Sequence, residues 1–142
     1  MSDRYELERF VEAQDGVYAE ALEELRAGRK TGHWMWFIFP QIAGLGRSPM
    51  AERFAISSLE EARAYLDHPV LGKRLRECTQ AVMDVAGRTA HEIFGFPDDM
   101  KFRSCMTLFA RAADDGGIFQ KALKKYFYGE EDPLTAEKLK RD

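Results

Sequence analysis

The chain has 142 residues, 45% of them hydrophobic and 32% charged, which is the balance of one ordinary soluble domain and excludes a disordered chain. A net charge of −3 and a pI of about 5.7 argue against general nucleic-acid binding, which needs a basic footprint. No apolar run approaches the roughly 18 residues of a membrane helix, and the first ten residues, MSDRYELERF, are charged from the third onward, unlike a signal peptide.

Helical periodicity runs through most of the chain. Asp3, with Glu6 three residues on, has capping-box spacing for a first helix whose face is Leu7, Phe10, Val11 and Gln14. Asp15-Gly16 breaks it. A second helix over Val17 to Ala27 has Tyr18, Ala21, Leu22 and Leu25 inward, Glu20, Glu23 and Glu24 outward, and Gly28 as its stop. Residues 31–50 are the one irregular segment, with Gly32, Pro40, Gly44, Gly46 and Pro49. Ser57 or Ser58 caps a helix to Asp67. His68-Pro69 reads as cap and first position of the next helix, whose stripe is Leu71, Leu75, Cys78, Val82 and Val85. Thr89 and Glu92 form a second capping box, with Gly95 as stop. Pro97-Asp98-Asp99 opens the clearest amphipathic helix, with Phe102, Cys105, Met106, Phe109, Ala110 and Ala113 on one face. After Asp114 to Gly117 a last long helix carries Ile118, Phe119, Leu123, Tyr126 and Phe127, and Pro133 to Lys140 adds a short one. No segment alternates with period two. The expectation is an all-α fold, a single compact multihelical domain over residues 1–142.

Standard chemical motifs are missing: there is no P-loop, GxGxxG, HExxH or GxSxG. Cys78 and Cys105 form no CxxC, which fits a reducing cytoplasm better than a stapled secreted fold, and both fall on apolar stripes where a thiol is inert packing. His33, His68 and His91 have no metal-ligand spacing, so neither metal nor cofactor is expected.

The stretch GHWMWFIFPQ, residues 32–41, holds both tryptophans and two phenylalanines within six positions. It reads in two ways. In one it is core, with Met35, Phe37 and Phe39 inward and Trp34, Trp36 and Ile38 elsewhere if the run is extended; a short helix would divide them otherwise. In the other it is a site, because Arg29, Lys30 and His33 precede it and Gln41 follows. Aromatic faces beside cationic donors suit a nucleotide-like ligand. His33 is the acid–base candidate if the site carries chemistry. Gly44 to Ser48 could present backbone N–H groups to a phosphate, with Arg47 helping. A second cluster, Lys101, Arg103, Ser104, Thr107 and Arg111, lies off the apolar face of the amphipathic helix, as a solvated face or as the other half of the site.

Three motifs, GRKTGHWMWFIFPQIAGLGRS, SLEEARAYLDHPVLGKRL and IFGFPDDMKFRSCMTLF, resemble in order a bacterial family of conserved proteins of unknown function of about this length. That family is sometimes mislabelled calpastatin; calpain inhibitors of that name are repeat-built and largely disordered, and this chain is neither. The resemblance covers Phe10 to Leu139 and implies a multihelical fold, with no assigned activity or catalytic residues. The pattern Met100-Lys101-Phe102, then Phe119 to Leu123, is also similar to small helical proteins linked to NAD and ADP-ribose chemistry, an analogy without their Glu-His pair. The leading expectation is a cytoplasmic domain binding an anionic, nucleotide-like small molecule. Its pocket would join residues 29–48 to the start of the 98–113 helix. Trp34 or Trp36 would stack, Arg29, Lys30, Lys101 and Arg103 would neutralise phosphate, and Gln41, Arg47 and Ser104 would lie beside them. The alternative is a protein-interaction domain using residues 33–41 as its partner surface.

Overall fold

The computed structural model describes residues 3–140, and the four terminal residues of the expected domain lie outside them. Among the described residues the chain forms ten helices and no strand, so the all-α expectation holds. They are α1 (Glu8–Asp15), α2 (Tyr18–Arg26), α3 (Met35–Ile38), α4 (Pro49–Arg53), α5 (Leu59–Asp67), α6 (Leu71–Met83), α7 (Ala90–Phe94), α8 (Asp98–Ala112), α9 (Gly117–Phe127) and α10 (Pro133–Leu139).

Helix starts follow the local signals. Ser58 Oγ accepts from Glu61 N, and Thr89 with Glu92 forms a complete capping box, each worth about 1 kcal/mol. His68 Nδ1 accepts from Val70 N and Leu71 N at 3.1 and 3.2 Å, so its imidazole caps α6. Asp3 also caps, though not through the expected box: its carboxylate takes the N–H groups of Leu7 and Glu8 at 2.7 and 2.8 Å, and α1 begins only at Glu8.

α8 is the axis of the molecule, packing against α5, α7, α9 and α10. Phe102 meets Phe94 in a stack 4.7 Å between centroids and Phe39 edge-on at 5.1 Å, while Phe109 meets Tyr65 and Phe119. Burying one such ring contributes about 1.5–3 kcal/mol. The face expected to be solvated is largely covered. Ser104 and Thr107 are buried, because α10 and the segment leading into it lie across them. Thr107 Oγ1 accepts from Asp132 N at 2.9 Å. Arg111 pairs with Glu131 through two bonds of 2.7 Å, which raises the arginine pKa and lowers that of the glutamate.

The aromatic run resolves as one helical turn, α3, closed by Pro40. Trp34, Met35, Phe37, Ile38 and Phe39 are all buried, and Trp36 alone in the run is partly exposed. Of the two alternatives the run takes the short helix: three of its four helical residues, Met35, Phe37 and Ile38, are buried, and Trp34 before them is buried too. Gln14 Nε2 holds the turn by donating to Phe37 O at 2.7 Å. Beyond it, Ile56 N donates to Gln41 O and Ala43 N donates to Ile56 O, a parallel bridge that pins the irregular segment to the residues just before α5.

Candidate functional site

Three stretches of chain meet in one cleft of about 380 Å³, within the usual range for small-molecule sites. One wall is the irregular segment, with Trp36, Gln41, Arg47 and Ser48. The first turns of α8 supply Pro97, Met100, Lys101 and Ser104. Asp132 and Leu134 close the third side. Gly46 lets the loop fold this tightly: a Cβ there would stand 2.6 Å from Ala51 Cβ.

The polar groups of the cleft differ in how far they are already engaged. Lys101 Nζ lies 5.4 Å from the centre of the Trp36 ring and 3.7 Å from Asp98 Oδ1. Arg47 is exposed and has no ion pair or hydrogen bond among the described residues. Ser104 Oγ donates to Met100 O at 3.1 Å, and Ser48 Oγ accepts from Ala51 N. The mouth is apolar: Met100 and Leu134 are 41% and 64% exposed, and Phe96, one residue before the lining Pro97, is 77% exposed.

Of the residues singled out from the sequence, Trp36, Gln41, Arg47, Lys101 and Ser104 therefore come together. The others do not line this cleft. Trp34 is only 2% exposed; its indole N–H donates to Glu24 Oε1 at 3.1 Å and it packs on Phe39. Lys30 is held by Asp98 at 2.8 Å, by Gly32 O and over the Trp34 ring at 5.0 Å. Arg29 lies in a separate recess beside Glu20, Glu23 and Glu24. His33 is exposed and has no hydrogen bond or ion pair among the described residues. Arg103 donates to the carbonyls of Glu130 and Glu131 at 3.0 and 2.9 Å, where it clamps the α9–α10 connection.

Glu24 departs from the outer-face expectation. It is no plain outer-face residue: one oxygen, Oε1, accepts from Thr31 N, Gly32 N and Trp34 Nε1 at 2.7, 2.8 and 3.1 Å. Burial pushes its pKa up, but the bonds from Gly32, Thr31 and Trp34 outweigh that and hold it below the ordinary carboxylate value. Asp132, the acid of the cleft, was missed. Its signal was present as an N-cap acid before Pro133 with Thr135 three residues on, but nothing local says that the cap opens on a cleft.

Both thiols are buried, and burial pushes Cys78 up to about 12 and Cys105 well above its usual value, so neither is a ready nucleophile. Among the described residues no group of three His, Cys, Asp or Glu side chains could hold a metal ion, and no helix is long and apolar enough to cross a membrane. A larger recess of about 570 Å³ lies between α5, α6 and the α8–α9 turn. Its charges, Arg63, Arg76, Asp67, Asp114 and Asp115, are all exposed and of mixed sign, so it lacks a buried polar group to fix a ligand.

The match to a protein family of unknown function, DUF1810, spans residues 4–139. The chain belongs to DUF1810. This is the kind of family its three motifs implied. The DUF1810 fold seen here is similar to the crystal structure of Rv1873, a conserved hypothetical protein of Mycobacterium tuberculosis, with a TM-score of 0.96 and 59% identity over 97% of this chain and 99% of that one. No curated protein matches.

Proposed function

We propose that the cleft binds a small molecule with a flat ring and an anionic group, of nucleotide-like chemistry. The observation that carries this is the Trp36 ring, partly exposed in the one wall of the aromatic run that core packing leaves open, with Lys101 beside it and the unpaired Arg47 in the same cleft. A ring stacked on an indole gains about 1–3 kcal/mol, and an arginine free of partners has all its donors available for a phosphate or carboxylate. The reading narrows the expected site: Arg29, Lys30, Trp34, His33 and Arg103 have structural or unconnected positions and take no part in it. Support for residues 33–41 as a partner surface is thin, since most of that run is core.

Thermal shift and calorimetry with AMP and ADP-ribose test the proposal. Binding raises the melting temperature by mass action; the shift is expected to vanish in Trp36→Ala and to shrink in Arg47→Ala. No shift with either compound in the parent protein, or an undiminished shift in both variants, sinks it.

A further inference from the structure

Among the described residues one acid lines the cleft, and that acid is built in. Asp132 is only 8% exposed. One of its oxygens, Oδ2, accepts from Thr135 N at 2.9 Å and from Thr135 Oγ1 at 2.6 Å, and its own N–H is taken by Thr107 Oγ1. The side chain therefore cannot swing away. The other oxygen, Oδ1, makes no hydrogen bond among the described residues. No buried side-chain oxygen there lacks a partner, so Oδ1 must reach solvent, and the residue lines the cleft. A carboxylate oxygen held in place and open to the water of the cleft is an acceptor that a donating ligand can take over.

We propose that Asp132 Oδ1 is the specificity determinant of the cleft and receives the hydroxyl groups of a ribose, so that the ligand is a ribonucleotide. This rests on the small-molecule reading above and adds a direction to it. A carboxylate repels phosphate, so the anionic end belongs at Arg47 and Lys101, the ring at Trp36, and the donor-bearing part at Asp132. A ribose diol, lying between base and phosphate, is the part of a nucleotide that offers O–H donors to a carboxylate, and acids serve this role in dinucleotide sites. A ligand that displaces water from this acceptor without donating to it leaves it unmet, which rejects an analogue lacking the donor more strongly than packing alone could.

The test compares AMP with 2′,3′-dideoxy-AMP by calorimetry on the full chain and on Asp132→Asn. Asparagine keeps a carbonyl oxygen for Thr135, and the two residues are near-equal N-caps, but it places an amide N–H₂ where Oδ1 stood. AMP is expected to bind the parent protein roughly ten- to hundredfold more tightly than the dideoxy compound, the range for a hydrogen bond to a charged group. Asp132→Asn should lose that preference and bind both compounds alike. Should the variant fail to fold, the comparison of the two nucleotides on the parent chain still decides. Equal affinity for AMP and dideoxy-AMP, with Trp36→Ala still abolishing both, overturns the role of Asp132 and leaves the cleft reading standing. Binding of neither compound overturns both.

Discussion

Trp34 and Trp36 stand two residues apart, and each lies near a lysine ammonium: Lys30 over Trp34 at 5.0 Å, Lys101 over Trp36 at 5.4 Å. Both lysines pair with Asp98, at 2.8 and 3.7 Å. The chemistry of the two pairs is nearly the same, and their surroundings are not. Trp34 is sealed between Glu24, Lys30 and Phe39 with its indole N–H satisfied. Trp36 is half-buried on the wall of the cleft, with Arg47 unpaired in the same lining. A buried cation over a buried ring is a clasp between chain segments; the same contact on the cleft wall is where we propose that a ligand sits. What separates them is one helical turn, α3, which sends consecutive side chains about 100° apart.

The largest expected effect tests the sealed half. Trp34→Ala should cost about 3–5 kcal/mol of unfolding free energy, while Trp36→Ala, at a partly exposed ring, should cost clearly less, about 1–2 kcal/mol, as measured by urea denaturation. Equal losses would erase the distinction. Next is Glu24→Gln, which weakens the acceptor that three N–H groups share and should cost about 1–3 kcal/mol at neutral pH. The folded pKa of Glu24 lies below its ordinary value of 4.5. Its stabilisation is therefore complete above the unfolded value and is lost as pH falls through the folded one. The gap between the parent protein and Glu24→Gln should accordingly close on acidification, and a gap that stays constant would mean the carboxylate charge is irrelevant.

How much of this the sequence discloses depends on the range of the forces involved. Caps at Ser58, Thr89 and His68, and the core stripes of α6 and α8, act within a turn or two of helix and could be read directly. The division of the 34–39 run could not, because a four-residue helix and a short strand carry the same local signal. The buried state of Ser104 and Thr107 was hidden for another reason. Their own helix shows them opposite the apolar stripe, and only the arrival of α10 from 25 or more residues away covers them. Of the cleft, Trp36, Gln41, Arg47, Lys101 and Ser104 were nominated from charge and aromatic company. That same criterion also nominated Lys30 and Arg103, whose partners, Asp98 and the carbonyls of Glu130 and Glu131, lie too far along the chain to be foreseen.

The smallest expected effect is optical and isolates the open half. Trp34→Phe leaves Trp36 as the sole indole and keeps most of the buried area. Its fluorescence should be quenched readily by iodide, which Arg47 and Lys101 attract, and less so by the cation caesium. Trp36→Phe leaves only Trp34, whose emission should be short in wavelength and nearly indifferent to both ions. Raising the salt concentration should weaken the iodide preference, since exposed charges are screened over about 10 Å at 0.1 M. If both single-tryptophan variants are quenched alike, the two rings share one environment, and the cleft wall at Trp36 is no more open to a ligand than the core at Trp34.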